Sequence, residues 1–131
     1  MEKYLSEEQK MNIFLVLMLP HVLKTIERDK AYMLCSQMKF ADSYCHILDR
    51  LSLLIKQDLE SANSIIRSNF IKIAESHISK SGLKYRVKYK GNYYEGSYDA
   101  AYVKQKIADY LRSKPIVHKG TEHHSEYVRK L

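Results

Sequence analysis

The hydrophobic pattern divides the chain into a long helical part and a short alternating part. Ser6-Glu7-Glu8-Gln9 fits a capping box, with Ser6 at the N-cap and Gln9 reaching back from the third helical position. The two glutamates suit the positive end of the helix dipole. From Met11 to Leu19 the sequence is almost continuously apolar, which requires cover on most sides of a helix. Pro20 lacks a backbone donor, so a kink or break is expected there. Val22, Leu23 and Ile26 resume the period, and Glu27-Arg28-Asp29-Lys30 reads as a turn or an exposed last turn.

Residues 31–79 contain neither Gly nor Pro, and a heptad runs through them. One row is Leu34, Ala41, Leu48, Ile55 and Ala62, and the other is Met38, Cys45, Ser52, Leu59, Ile66 and Ile73. The 4-3 spacing predicts one long helix, or two collinear ones, ending at Ser81-Gly82 with a possible break near Asn63. Against the N-terminal helix it would form a long antiparallel hairpin. Phe14, Leu17, Leu34, Met38, Leu48, Ile55, Leu59 and Ile66 are the expected core and dimer residues. The apolar load exceeds what one helical pair can hide, so an isologous homodimer is expected; the alternative is that the third helix and the hairpin cover the surplus within one chain.

At Leu83 the period changes to two. Leu83, Tyr85, Val87 and Tyr89 alternate with Lys84, Arg86, Lys88 and Lys90, as in a half-buried strand. Gly91-Asn92 is a turn signal. A hairpin closed there would set Tyr89 opposite Tyr94, Val87 opposite Gly96 and Tyr85 opposite Tyr98, with Lys88 opposite Glu95 and Arg86 opposite Ser97. A third helix is predicted from about Asp99 to Ser113, with Ala100, Val103, Ile107 and either Tyr110 or Leu111 inside. The whole reads as an α+β protein, mostly α, in one domain: residues 1–79 helical, 80–113 a β-hairpin and helix, and 114–131 a polar, His-containing tail with a possible short strand at Ile116-Val117.

Charge follows the same division. Residues 1–79 carry ten Lys/Arg and ten Asp/Glu, whereas residues 80–131 carry twelve and five, so the net +7 belongs to the second part. Lys84, Arg86, Lys88 and Lys90 would stand about 6.6 Å apart on one strand face, at about 3.3 Å per residue. That spacing suits phosphates, and Tyr93 on the same face could stack on a base. Lys104, Lys106 and Arg112 on the following helix would reinforce the patch. These eight residues are the candidate nucleic-acid or polyanion site. A two-stranded ribbon also fits the DNA major groove. The competing reading is a solvated face whose lysines protect an exposed edge strand. Strand, turn, strand and helix over residues 83–113 faintly resemble the arm-binding domains of phage integrases and the AP2 fold. The resemblance implies strands in contact with DNA and a helix packed behind them. It lacks the usual first strand and a shared motif, so it assigns no residue a role.

The remaining chemistry is sparse. The chain has no GxSxG, Walker or GxGxxG motif, and no HExxH or Cys-His zinc spacing. Cys45 and His46 diverge on a helix, and Asp58 and Glu60 read as solvated charge. His118, His123 and His124 are weak metal candidates in the tail, while His21, His46 and His77 read as surface or boundary positions. No cofactor is expected. Cys35 and Cys45, if on one helix, lie about 15 Å apart at 1.5 Å per residue. That is too far for a disulfide and suits buried thiols in a reducing cytoplasm. Ile13–Leu19 is far short of the roughly 20 residues of a spanning helix and follows acidic rather than basic residues. The function expected is a non-enzymatic regulatory or accessory protein that dimerises through its helices. Its basic hairpin would contact nucleic acid or an acidic partner. The alternative is a protein-interaction module, an inhibitor or adaptor, with no nucleic-acid role.

Overall fold

The computed structural model describes residues 4–114. Helix α1 spans Glu7–Cys35 and α2 spans Ala41–Ser68. Three strands follow, β1 (Lys72–Ser79), β2 (Gly82–Tyr89) and β3 (Asn92–Asp99), and helix α3 (Ala100–Arg112) ends the fold. The sheet is an antiparallel meander in the order β1-β2-β3. The protein is therefore α+β and mostly α, as the pattern predicts.

The start of α1 is the predicted capping box. The Gln9 amide N–H donates to Ser6 Oγ at 3.1 Å, and the Ser6 N–H donates to Gln9 Oε1 at 2.9 Å. The free end of the same Gln9 side chain donates to Asn69 Oδ1 and to the Tyr89 hydroxyl, at 3.3 and 3.4 Å. One residue thus caps α1 and ties it to the end of α2 and to the central strand.

Pro20 does not break the helix. Ile13, Phe14, Met18 and Leu19 are buried before it, and Val22 and Ile26 after it, so both halves are held by packing. That shared burial offsets the roughly 3 kcal/mol that an interior proline costs. The charged run Glu27–Lys30 likewise stays helical. Lys30 reaches Asp49 on α2 and is anchored there rather than released into a turn.

The single helix expected over residues 31–79 is instead the end of α1, a loop, α2 and a strand. Ser36 ends α1, its amide and hydroxyl both donating to the Met33 carbonyl, at 3.1 and 2.7 Å. Helix α2 then runs through Asn63 without a break and stops at Asn69, whose side-chain amide donates to the Ile65 carbonyl at 2.7 Å. Phe70 follows with a positive φ of 57°, which no helix continues through. Residues 72–79 form β1, and Ser81-Gly82 lies at the passage from the β1–β2 turn into β2 rather than at a helix end. Cys35 and Cys45 lie on different helices, and both are free; Cys45 is buried, but Cys35 is exposed, not buried as expected.

The hairpin β2–β3 is present with its faces as predicted, but its partners are shifted by two residues. Tyr89 pairs with Asn92, Val87 with Tyr94, Arg86 with Glu95 and Tyr85 with Gly96. The turn residues are Lys90 and Gly91, with φ of 52° and 81°. Positive φ at both central positions is the mark of a type I′ turn, whose twist matches that of the flanking strands. A slip of two preserves which side chains face inward, because the strand period is two.

One apolar cluster joins Ile13, Phe14 and Met18 of α1 to Leu83, Tyr85, Val87 and Tyr89 of β2 and to Val103 of α3. A second joins Leu19, Val22 and Ile26 to Ile55 of α2 and to Tyr110 of α3. The first half of α1 therefore lies on the inner face of the sheet, and its second half continues as a two-helix projection. Of the expected core residues, Phe14, Ile55 and Ile66 are buried, and Leu17, Leu48 and Leu59 pack at the cluster margins. Leu34 and Met38 are 57% and 46% exposed, at the tip of the projection, beside exposed Tyr32 and Phe40. The heptad face is thus largely used inside the chain, and only its first members are left uncovered.

Candidate functional site

The outer face of the sheet is built by the alternation in β2. With Leu83, Tyr85, Val87 and Tyr89 turned into the core, Lys84, Arg86 and Lys88 must point outward. The register adds neighbours on both sides and divides the face into three rows. At the β2–β3 turn end, Lys88 lies between Lys72 and Tyr93. In the middle, Arg86 lies between Glu75 and Glu95. At the other end, Lys84 lies between His77 and Ser97. A bulge at Ala74 returns Lys72 to the outer face beside Lys88.

The rows differ in electrostatics. Arg86 pairs with Glu75 at 3.5 Å and faces Glu95, so the middle row holds one cation and two carboxylates. Its guanidinium also covers one side of the Tyr93 ring, 4.2 Å from the centroid. Lys72, Lys84 and Lys88 are exposed and have no carboxylate partner among the described residues. The four-cation row read from sequence is therefore three side chains on the face, with Lys90 in the turn, its ammonium 5.3 Å from the centre of the Tyr89 ring. Lys72, read as helical in the sequence, is the member that was missed.

The cations of α3 do not join this surface. The helix packs against the inner face through Val103, and the sheet lies between its lysines and the outer row. Lys104 is exposed there. Lys106 donates to the Tyr102 hydroxyl at 3.1 Å and lies over the Phe14 and Tyr102 rings. Arg112 pairs with Asp109 at 2.7 Å. Nor does β2 form the edge of a ribbon. It is the central strand, so its lysines guard no edge.

Asp58 is not a solvated charge. It accepts a hydrogen bond from the Tyr110 hydroxyl at 2.5 Å and an ion pair from Lys114, whose ammonium also sits 4.4 Å from the Tyr110 ring centre. Burial, and then the hydrogen bond to Asp58, push the Tyr110 phenol well above its ordinary value near 10. This cluster fastens the end of α3 to α2 and is structural. No group of three or more His, Cys, Asp or Glu suited to a metal occurs among the described residues. His118, His123, His124 and the expected strand at Ile116-Val117 lie outside those residues.

These features define a helical hairpin carrying a three-stranded meander, with a solvent-open basic and aromatic sheet face. A family described as YhjD protein matches residues 4–114, and the chain belongs to that family. No curated protein and no solved structure matches the chain. Strand β1 precedes the predicted hairpin, so the order after the helical pair is strand, strand, strand, helix. Among the described residues no helix is long and apolar enough to cross a membrane.

Proposed function

We propose that the chain is a small cytoplasmic accessory or regulatory protein without enzymatic activity, which contacts nucleic acid or another polyanion through the outer face of its sheet. The observation that supports this reading most directly is the trio Lys72, Lys84 and Lys88. Each is exposed and without a carboxylate partner among the described residues, on a face that none of the described helices covers. Unpaired ammonium groups release counterions when they meet phosphates, so binding would be strong in low salt and weak in high salt. Lys72→Glu, Lys84→Glu and Lys88→Glu together should abolish low-salt binding to a labelled oligonucleotide. Absence of binding by the unaltered protein would refute the proposal.

Self-association through the helices is the second part of the proposal. Its support is the tip of the projection, where Tyr32, Leu34, Met38 and Phe40 are 77%, 57%, 46% and 44% exposed. Exposed apolar surface on this scale is a feature of interaction sites. The same tip supports the alternative reading of a protein-interaction module. The two separate cleanly: a binding module without a nucleic-acid role would lose its partner on tip substitution and be indifferent to the lysines.

A further inference from the structure

We infer that the turn end of the sheet is a stacking site for unpaired bases, so that the ligand is a short single-stranded stretch of nucleic acid rather than a duplex. This inference rests on the polyanion reading above and goes further, to the kind of ligand and its place.

Of the three rows, one sets cations that have no carboxylate partner among the described residues beside an exposed ring. In that row Lys72 and Lys88 stand beside Tyr93, which is 52% exposed. Phe70, two residues before Lys72, is 86% exposed, the most exposed large apolar side chain described. It is presented by a strained left-handed backbone, with φ of 57°, and not by a packed element. The neighbouring row has the opposite character, with Glu75 and Glu95 on either side of Arg86. An uninterrupted basic track, which would follow a duplex backbone, is therefore absent from the face.

Aromatic rings add affinity only for a ligand whose π faces are open. Bases in a duplex are covered by their neighbours, whereas bases of a single strand are available to stack on Tyr and Phe. Arg86 is then not a phosphate contact. Held by Glu75 at 3.5 Å, it lies against the Tyr93 ring at 4.2 Å, and the Lys88 ammonium lies 5.9 Å from the same ring centre, so the ring sits among cations. Lys72 and Lys88 would take the phosphates next to the stacked base.

The test uses the full chain and four probes in low salt: a labelled oligothymidylate, an abasic strand of equal length, a duplex of equal length, and vesicles of phosphatidylcholine with phosphatidylglycerol. The oligothymidylate should bind about tenfold or more tightly than the abasic strand, the scale of one or more stacked bases. Tyr93→Leu with Phe70→Asn should bring the ratio of oligothymidylate to abasic affinity down towards one. Tyr93→Phe should retain it. Phe70→Asn suits the left-handed backbone, and circular dichroism verifies that the double variant is folded. Equal binding of oligothymidylate, abasic strand and duplex would overturn the stacking site and leave the polyanion reading standing. Binding to none of the four probes would overturn both, and binding to the vesicles alone would overturn the stacking site and the nucleic-acid form of the polyanion reading.

Discussion

Gly96→Ala offers the sharpest check on the packing that presents the site. Gly96 sits opposite Tyr85 on the inner face, and the Tyr85 ring lies across it. A Cβ built at Gly96 would stand 2.2 Å from Cζ of Tyr85, far inside van der Waals contact. The ring has little room to yield. Tyr85 is 5% exposed, and its ring is 6.1 Å from that of Tyr98, which is in turn 6.0 Å from Phe14 and stacked at 5.0 Å on Tyr102. Overpacking of this kind costs about 1–3 kcal/mol. Expelling the ring altogether would forfeit the burial of one aromatic side chain, about 4–6 kcal/mol at 25 cal/mol per Å² over 150–250 Å². The chain takes the cheaper course, so about 2–3 kcal/mol is expected. At roughly 4 °C per kcal/mol for a domain of this size, Tm should fall by about 8–12 °C. Urea and thermal melts followed by circular dichroism would measure it. Tyr85→Leu, which removes the clashing end of the ring, should make Gly96→Ala much less costly in the double mutant. A Gly96→Ala loss below about 0.5 kcal/mol, or strict additivity with Tyr85→Leu, would refute this account of the inner face.

Three further outcomes follow from particular contacts. Lys90 occupies a left-handed turn position that Asn prefers, so Lys90→Asn should raise the urea midpoint by the equivalent of about 0.5–1 kcal/mol, and a lowered midpoint would contradict the type I′ turn. The Tyr110 phenol titrates higher in the folded than in the unfolded chain, so its contribution is fully present below pH 10 and is lost as pH rises beyond that value. Stability should consequently fall more steeply above pH 10 in the parent than in Tyr110→Phe, as read by urea melts at a series of alkaline pH values. For the helical tip, Leu34→Ser with Met38→Ser should shift the mass found by light scattering from dimer to monomer and remove any concentration dependence of Tm, since both side chains are exposed in the single chain; a parent that is already monomeric would end the dimer proposal.

What was legible in the sequence is what repeats with a clean period. The capping box, the alternation in β2 and the stripe on α3 each depend on neighbours within a few residues, and each is present. The failures have a common cause. Leu34, Met38 and Ala41 keep a heptad spacing across Ser36–Phe40, a loop without Gly or Pro, so the chain reverses where the pattern predicts continuity. Ile66 and Ile73 continue that row by coincidence, although Ile66 ends a helix face and Ile73 lies in a strand. The bulge at Ala74 hid the strand, because it places Ile73 and Ile78 both on the inner face although an even number of residues lies between them. Missing β1 meant missing Lys72 and Glu75, and with them the contrast between a free basic row and a neutralised one. Asp58 was missed for a different reason. Its partners Tyr110 and Lys114 are more than fifty positions away, and no local pattern announces them.

The most direct test of the central claim, that Lys72, Lys84 and Lys88 form a polyanion surface, is the salt dependence of oligonucleotide binding. Three phosphate contacts to a single strand predict a slope of log affinity against log salt of about −2, and Lys88→Gln should reduce its magnitude by about 0.7. A slope near zero, or one that Lys88→Gln leaves unchanged, would contradict the account.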